Sequence, residues 1–493
     1  MSDEKVVDLH FFREARNPQP ERNPDDGNGG GGPPGAPPGG SGPTPEPPFG
    51  SEDMLSEELS KDLGDDWICA WPIRQWYRWD GARWDNRQGD YLVRQRAQVI
   101  ARRIAAMARD KRLARQICRK GSVSAAIDFA SSNERHARYE GNLDNEGAWE
   151  INTPQGLLFL KTGFLAPPMR SRLLTRLAGA APSPEMECPR WLQFLDEATG
   201  GDVEMIDYLQ RLAGYCLTGD VSEHAIFFLY GKSRTGKTVF LTMLLKLLGD
   251  YAIHAAVDMF VQSDGQRHLT EVMDLDGPRL VIAPETPEGK RWNDSLLKQI
   301  AGGEQLRANR MRQDPVQFTP VCKLGLGGNH RPRMRAGDDG MRTRFRVLPF
   351  RHRQPVLDKD LVDKLAAELP GIFKWALIGE MKRIKDGKNL SVERAPAAIK
   401  EATDEYFEAE DMIKRWLDSC CLFGKDYKAV TDDLYKSFRA WAERIGERYP
   451  PTINVFSQRL GQLDELGIQP WRGNHQRGFL GVQLTRSQPD LGV

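Results

Sequence analysis

An apolar run of strand length, Ala225-Ile226-Phe227-Phe228-Leu229-Tyr230, leads directly into Gly231-Lys232-Ser233-Arg234-Thr235-Gly236-Lys237-Thr238. Val239–Leu248 then continues with helical spacing and stops at Gly249. Strand, GxxxxGKT loop and helix together form the context that a phosphate-binding loop requires. Such a loop wraps phosphate oxygens with backbone N–H groups, so Gly231 and Gly236 must permit unusual backbone angles and close approach. Lys237 is suited to the β- and γ-phosphates and the Thr238 hydroxyl to Mg²⁺, with Ser233, Arg234, Thr235 and Val239 completing the nucleotide-binding set. The helix N-terminus adds a dipole favourable to anions. The fold class expected around this feature is α/β, with ATP and Mg²⁺ as ligands.

A phosphate loop alone does not separate kinases, GTPases, transport ATPases and other motors, but the following segments narrow the choice. Arg279–Ala283 is a second buried-strand candidate, ended by Pro284-Glu285. An acid at the end of such a strand holds Mg²⁺ and orients water, which selects Glu285 as catalytic and metal-binding, with Glu288 near enough to share the work. A third strand candidate, Val321–Leu326, runs into Gly327-Gly328-Asn329-His330, where Asn329 can reach a γ-phosphate or the attacking water. Between these strands, residues 304–318 read as a hairpin with Arg310 and Arg312 near its tip, suited to phosphate contacts in a channel. Arg342, Arg344 and Arg346 alternate before Pro349-Phe350. Alternation on a strand would align all three on one side, within reach of a nucleotide in a neighbouring subunit; for Arg342 and Arg346, structural ion pairs are the other reading.

Elsewhere the chain is less specific. Residues 1–58, with Gly29–Gly32 and the Pro/Gly/Ser-rich Pro33–Pro48, form a tail that cannot bury enough apolar surface to offset its chain entropy. Order is expected from about Trp67. Trp76–Trp84 forms a hairpin over Asp80-Gly81, whose tryptophans pack inward in preference to stacking on bases. Tyr91–Lys120 reads as one basic amphipathic helix, with Arg94, Arg96, Arg102, Arg103, Arg109, Lys111, Arg112, Arg115, Arg119 and Lys120 against the single acid Asp110. That imbalance suits a polyanion or an acidic partner surface as well as a solvated face. Over the whole chain Lys plus Arg and Asp plus Glu are 69 each, so only local clustering can argue for nucleic acid. The seven cysteines lack CxxC spacing, which favours buried free thiols over a disulfide set or a zinc site. No apolar run approaches the roughly 18–20 residues needed to span a bilayer, and a cytoplasmic location is expected.

These residues resemble the helicase part of phage- and plasmid-encoded primase-helicases, relatives of the poxvirus D5-type helicase-primases. The most specific pieces are Gly231–Thr238, Val281–Thr286 with Gly289 and Trp292-Asn293, Gly327–Arg333, and Arg344–Phe350, joined upstream by Asn152-Thr153-Pro154 with Gly156 and by Cys188-Pro189 with Trp191. The resemblance implies an AAA+-related superfamily 3 core, assembly into a ring that is usually a hexamer, and ATP-driven 3′→5′ translocation on single-stranded DNA in the replication of a phage, prophage or plasmid. It makes Lys237 and Thr238 the Walker A pair, Glu285 the Walker B acid, Asn329 the sensor and Arg344 the arginine finger. The hairpin around Arg307, Arg310 and Arg312 becomes the DNA-tracking element. Thr343 and Asn309 depart from the family pattern, which loosens assignments within the hairpin. The segment before Trp67 is too short for a primase domain, so priming is expected to be absent or supplied by a separate primase or replication initiator. At the other end, helices followed by Trp471–Val482 resemble a winged helix that would present Arg459, Arg472, His475 and Arg477 to DNA; a protein-docking domain is the alternative. The expected organisation is a helical helicase-associated region over 59–205, the ATPase core over 206–390 and the winged-helix-like domain over 391–493. Another P-loop NTPase, such as a DNA-packaging motor, and a DNA-binding scaffold are the competing functions.

Overall fold

The computed structural model describes residues 46–262, 269–283, 291–309, 315–329, 339–353, 358–387, 389–410, 412–447, 450–461, 463, 466–473 and 476–485. The glycine- and proline-rich tail and four candidate site residues, Glu285, Arg310, Arg312 and His475, lie outside these residues.

Helical order begins ahead of both the expected boundary at residue 58 and Trp67. Helix α1 (Glu52–Leu63) starts where the Ser51 side chain accepts from the Met54 N–H, and its Leu55, Leu59 and Leu63 are buried. An N-cap serine and three leucines four residues apart outweigh the charged surface of the segment. Strands β1 (Trp67–Trp71), β2 (Gln75–Trp79) and β3 (Trp84–Asp85) follow, then helices α2 (Gly89–Ala105), α3 (Lys111–Ile117) and α4 (Lys120–Ser131), then β4 (Ala137–Tyr139). The sheet order is β3-β2-β1-β4. The hairpin is as expected, with Trp79 opposite Trp84, and Trp76 and Trp84 are buried in the core. The single basic helix expected over 91–120 is instead divided. The Asp110 side chain accepts from the N–H groups of Arg112 and Leu113 at 2.7 and 2.8 Å, so the lone acid caps a new helix.

Strands β5 (Glu150–Thr153), β6 (Gly156–Phe159) and β7 (Phe164–Ala166) form an antiparallel meander, followed by α5 (Pro189–Thr199) and α6 (Val203–Leu217). The next unit runs β8 (Ile226–Tyr230), α7 (Lys237–Leu248), β9 (Ala252–His254), α8 (Leu269–Val272), β10 (Leu280–Ala283), α9 (Asp294–Gly302), the hairpin β11 (Leu306–Asn309) and β12 (Pro315–Phe318), β13 (Lys323–Gly328), α10 (Asp339–Arg342) and β14 (Phe345–Pro349). Its main sheet is parallel throughout, in the order β14-β8-β13-β10-β9. Apolar residues continuous along β8 serve two cores, as a strand covered on both faces requires. Phe227 and Leu229 join the cluster formed with α5, α6 and α7, whereas Ile226 and Phe228 join the one formed with α9 and the hairpin.

Helices α11 (Leu361–Ala367) and α12 (Leu369–Lys385) complete the first of these cores, with Pro370 in the opening turn of α12. Helix α13 (Ala397–Glu410) packs on β14, where the Phe345 and Tyr406 rings stack at 5.5 Å. The remainder forms its own core: α14 (Met412–Cys420), β15 (Cys421–Val430), α15 (Thr431–Arg444), α16 (Ile453–Leu460), β16 (Gln469–Arg472) and β17 (Arg477–Leu484). Its antiparallel sheet has the order β15-β17-β16, so β15 adds a third strand to the two expected. All seven cysteines are free thiols, six buried and Cys118 exposed.

Candidate nucleotide site

The loop between β8 and α7 requires glycine at both ends of its motif. A Cβ at Gly231 would stand 2.0 Å from the Phe350 carbonyl oxygen, where β14 closes against β8. Gly236 has φ of +93° and lies over Phe194 of α5, whose ring would be 2.9 Å from a Cβ. The helix α7 begins without a side-chain cap, so its leading N–H groups are available to an anion. Lys237 folds its amine into the loop, donating to the carbonyls of Gly231 at 2.6 Å and Lys232 at 2.8 Å. It also reaches Asn329 Oδ1 at 3.1 Å, and burial lowers its pKa. Asn329 follows β13, the immediate neighbour of β8, so parallel pairing brings the ends of the two strands together. Thr235 is buried and its hydroxyl donates to the Lys232 carbonyl at 2.9 Å, bracing the loop. Ser233, Arg234 and Thr238 are exposed and Val239 is half-buried. An ammonium satisfied only by neutral oxygens, beside an uncapped helix, suits phosphate, and an exposed threonine hydroxyl in the first turn suits a divalent cation.

Arg344 does not join this loop. It immediately precedes β14, and its carbonyl accepts from Ile226 N–H at the start of β8, whereas the loop follows the far end of β8. About 13 Å of strand separates the two positions. Arg344 is half-buried; Nη1 donates to the Gly340 carbonyl at 2.9 Å and Nε is buried without a partner. The expected one-sided row of arginines is not formed, because only Arg346 lies within the strand. Arg342 closes α10 and pairs with Asp404 at 2.7 Å. Arg346 is buried and donates to the Leu390 and Thr343 carbonyls.

The expected hairpin is present, with Arg307 exposed on β11 opposite Gln317. In the C-terminal unit Arg472 and Arg477 are exposed cross-strand partners, an arrangement of like charges that an anion would relieve. Arg459 is half-buried on α16.

Several residues outside the loop support it. Trp191 of α5 stacks on Phe240 of α7 at 5.8 Å, so the Cys188-Pro189 helix braces the phosphate loop from below. Asn152 donates to the Ala82 and Arg176 carbonyls at 3.1 and 3.0 Å. It ties the tryptophan hairpin to the segment that docks on the end of α7, where Gly179 N–H donates to the Leu247 carbonyl. Arg383 is wholly buried among Glu380, Glu223 and Asp220, linking α12 to the approach of β8. Lys323 is also buried, over the Tyr215 ring, and burial pushes its ammonium down to about 7.

Comparison with known proteins places this arrangement in a family context. Residues 53–200 match the family described as "D5 N terminal like", and residues 229–344 match one described as "Family of unknown function (DUF5906)". A protein of Acanthamoeba polyphaga mimivirus named "Putative helicase L207/L206" is 25% identical over 259 residues, covering 49% of this chain and 27% of the viral protein. One of Frog virus 3 (isolate Goorha), "Putative helicase 022R", is 23% identical over 260 residues, covering 48% of this chain and 26% of that protein. The matches thus span about a quarter of the length of these relatives. A solved apo structure of the NrS-1 C-terminal region aligns over 88% of this chain and 100% of its own, at 13% identity and a TM-score of 0.41. The chain is a relative of the D5-type primase-helicase family.

Proposed function

We propose that this chain is an ATP-driven DNA helicase motor of superfamily 3, translocating on single-stranded DNA as a ring and acting in the replication of a phage, prophage or plasmid.

 The finer fold reading goes with it: an AAA+-related core over β8–β14 and a winged-helix-like C-terminal unit from α14 to β17. The observation that carries this reading is the 3.1 Å bond between Lys237 and Asn329 at the ends of adjacent parallel strands. It is supported by the strand order, because β13 lies between β8 and β10 and so sets Asn329 between the phosphate loop and the end of β10. Glu285 follows β10 by two residues in sequence and lies outside the described residues.

In this reading Lys237 and the leading N–H groups of α7 hold the β- and γ-phosphates, and Asn329 orients the attacking water. Thr238 and Glu285 would hold Mg²⁺, which supplies neutralisation of phosphate charge. Arg344, at the opposite end of the sheet from its own loop, serves the nucleotide of a neighbouring subunit. Arg307 and the hairpin tip with Arg310 and Arg312 follow the DNA backbone, and Arg459, Arg472, His475 and Arg477 contact phosphates from the C-terminal unit. The 3′→5′ direction and the hexameric ring are carried over from the family resemblance.

The test is ATP hydrolysis with and without single-stranded DNA, for wild type and Lys237→Ala, at one fixed salt concentration. DNA-stimulated hydrolysis that falls about 10²–10³-fold in the variant is expected, on the scale of losing one transition-state donor. Hydrolysis indifferent to DNA would point to another P-loop NTPase such as a packaging motor. DNA binding without any hydrolysis would leave a scaffold role.

A further inference from the structure

The basic stretch after Tyr91 has no part in the nucleotide site. Between Tyr91 and Ile127 its only acid is Asp110, which is engaged as the cap of α3. The structure sorts the arginines of α2 into two sets. Toward α1, Arg96 pairs with Asp62 at 2.9 Å and Arg103 with Glu58 at 3.2 Å. On another face, Arg94, Gln98 and Arg102 follow one another at one-turn spacing and share a groove of about 210 Å³ with Lys120, Cys118 and Val123. Among the described residues no acidic side chain pairs with Arg94, Arg102 or Lys120, and the one side-chain bond of the three is from Arg94 to the Ser124 hydroxyl at 3.5 Å. Arg112, Arg115 and Arg119 extend the exposed positive surface beyond the groove.

A solvated helix face mixes both signs, and the α1-facing side does so. The groove side carries one sign only and has no aromatic side chain in its lining, unlike the core of a protein interface. Arg94 to Arg102 spans about 12 Å of helix, the rise of three or four phosphates along one strand. We propose that the groove between α2 and α4 is a second nucleic-acid contact, binding the phosphate backbone through Arg94, Arg102 and Lys120, separate from the motor and independent of its nucleotide. The choice of nucleic acid as the polyanion rests on the proposed function.

The full chain is compared with its Arg94→Glu/Arg102→Glu/Lys120→Glu variant by fluorescence anisotropy, without nucleotide. Labelled single-stranded and duplex oligonucleotides are used between about 50 and about 200 mM salt. Affinity should fall at least about tenfold, and the slope of log affinity against log salt should lose about 2–3, from three contacts at ~0.7 each on single strands or ~0.9 on duplex. The oligonucleotide that shows the loss identifies the strandedness of the ligand. Hydrolysis measured without DNA should be unchanged. Cys118, the one exposed thiol of the seven, gives a readout in the wild-type chain: bound DNA should slow its alkylation by a maleimide. Unchanged affinity and slope on both oligonucleotides, with alkylation of Cys118 indifferent to saturating DNA, would overturn the proposal and favour an acidic protein partner. If hydrolysis falls with affinity, the wild-type alkylation result decides. Failure of the motor reading shows separately, as wild-type hydrolysis that DNA does not stimulate.

Discussion

At the scale of single residues, the site rests on a few side chains whose neighbours set their chemistry. Asn329 is exposed, so its value lies in its bond to Lys237 and not in packing. Asn329→Ala is expected to lower ATP turnover by about 10²–10³-fold while changing unfolding free energy by no more than about 0.5 kcal/mol. Steady-state turnover and chemical denaturation on the same preparation check both halves, and a large loss of stability would assign Asn329 a structural role. The loop that carries Lys237 and Thr238 was legible, between a strand and a helix, because spacing in a loop is local. The one-sided row of Arg342, Arg344 and Arg346 was not, because equal spacing in sequence cannot show that a helix ends at Arg342 and a strand begins after Arg344; Arg342 instead takes the ion pair that was its other reading.

At the scale of elements, two buried charges hold the sheet to its supporting helices. Arg383 of α12 bonds Glu380 within its own helix and reaches Asp220 and Glu223 beside β8. Burial alone would raise the Asp220 carboxyl, but the bonds from Arg383 and Ser222 bring it below its ordinary value. That contribution is present above the unfolded carboxylate range and is lost as pH falls through the folded value. Arg383→Met leaves three carboxylates without their cation, and a loss of about 3–5 kcal/mol in denaturant unfolding is expected. Lys323 has the opposite sense. Its folded value of about 7 lies below the ordinary 10.5, so between those values the unfolded chain binds a proton that the folded chain does not. Stability from this group therefore rises with pH across that window, and its cost is constant below it. Compared with Lys323→Met by denaturation, wild type should gain relative stability between about pH 7 and about pH 9; no relative change would mean that Lys323 keeps its proton.

At the scale of the whole molecule, Arg344 stands at the far end of the sheet from the phosphate loop, and in the proposed ring it would complete the active site of a neighbouring subunit. Arg344→Ala should lose roughly 10³-fold or more in turnover if it acts as an arginine finger. Mixing Arg344→Ala with Lys237→Ala should then restore part of the activity, since an intact loop in one chain meets an intact arginine from the other. No recovery at concentrations where the two chains co-assemble would rule out action in trans. Among the described residues no helix is long and apolar enough to cross a membrane.

The sequence by itself determined the local parts: the strand–loop–helix of the phosphate site with α7, the tryptophan hairpin and the β11–β12 hairpin. Each is set by residues close together in the chain, through glycine angles, caps and periodic burial. Only the tertiary structure decided which strand ends meet, because the order β14-β8-β13-β10-β9 is a matter of long-range pairing. It alone placed Asn329 against Lys237, carried Arg344 away from it, set Phe194 beneath Gly236, and paired Arg96 and Arg103 with α1 while leaving Arg94 and Arg102 to solvent. Hydrogen bonds and ion pairs between distant segments have no period in sequence, and packing chooses them after the elements have formed.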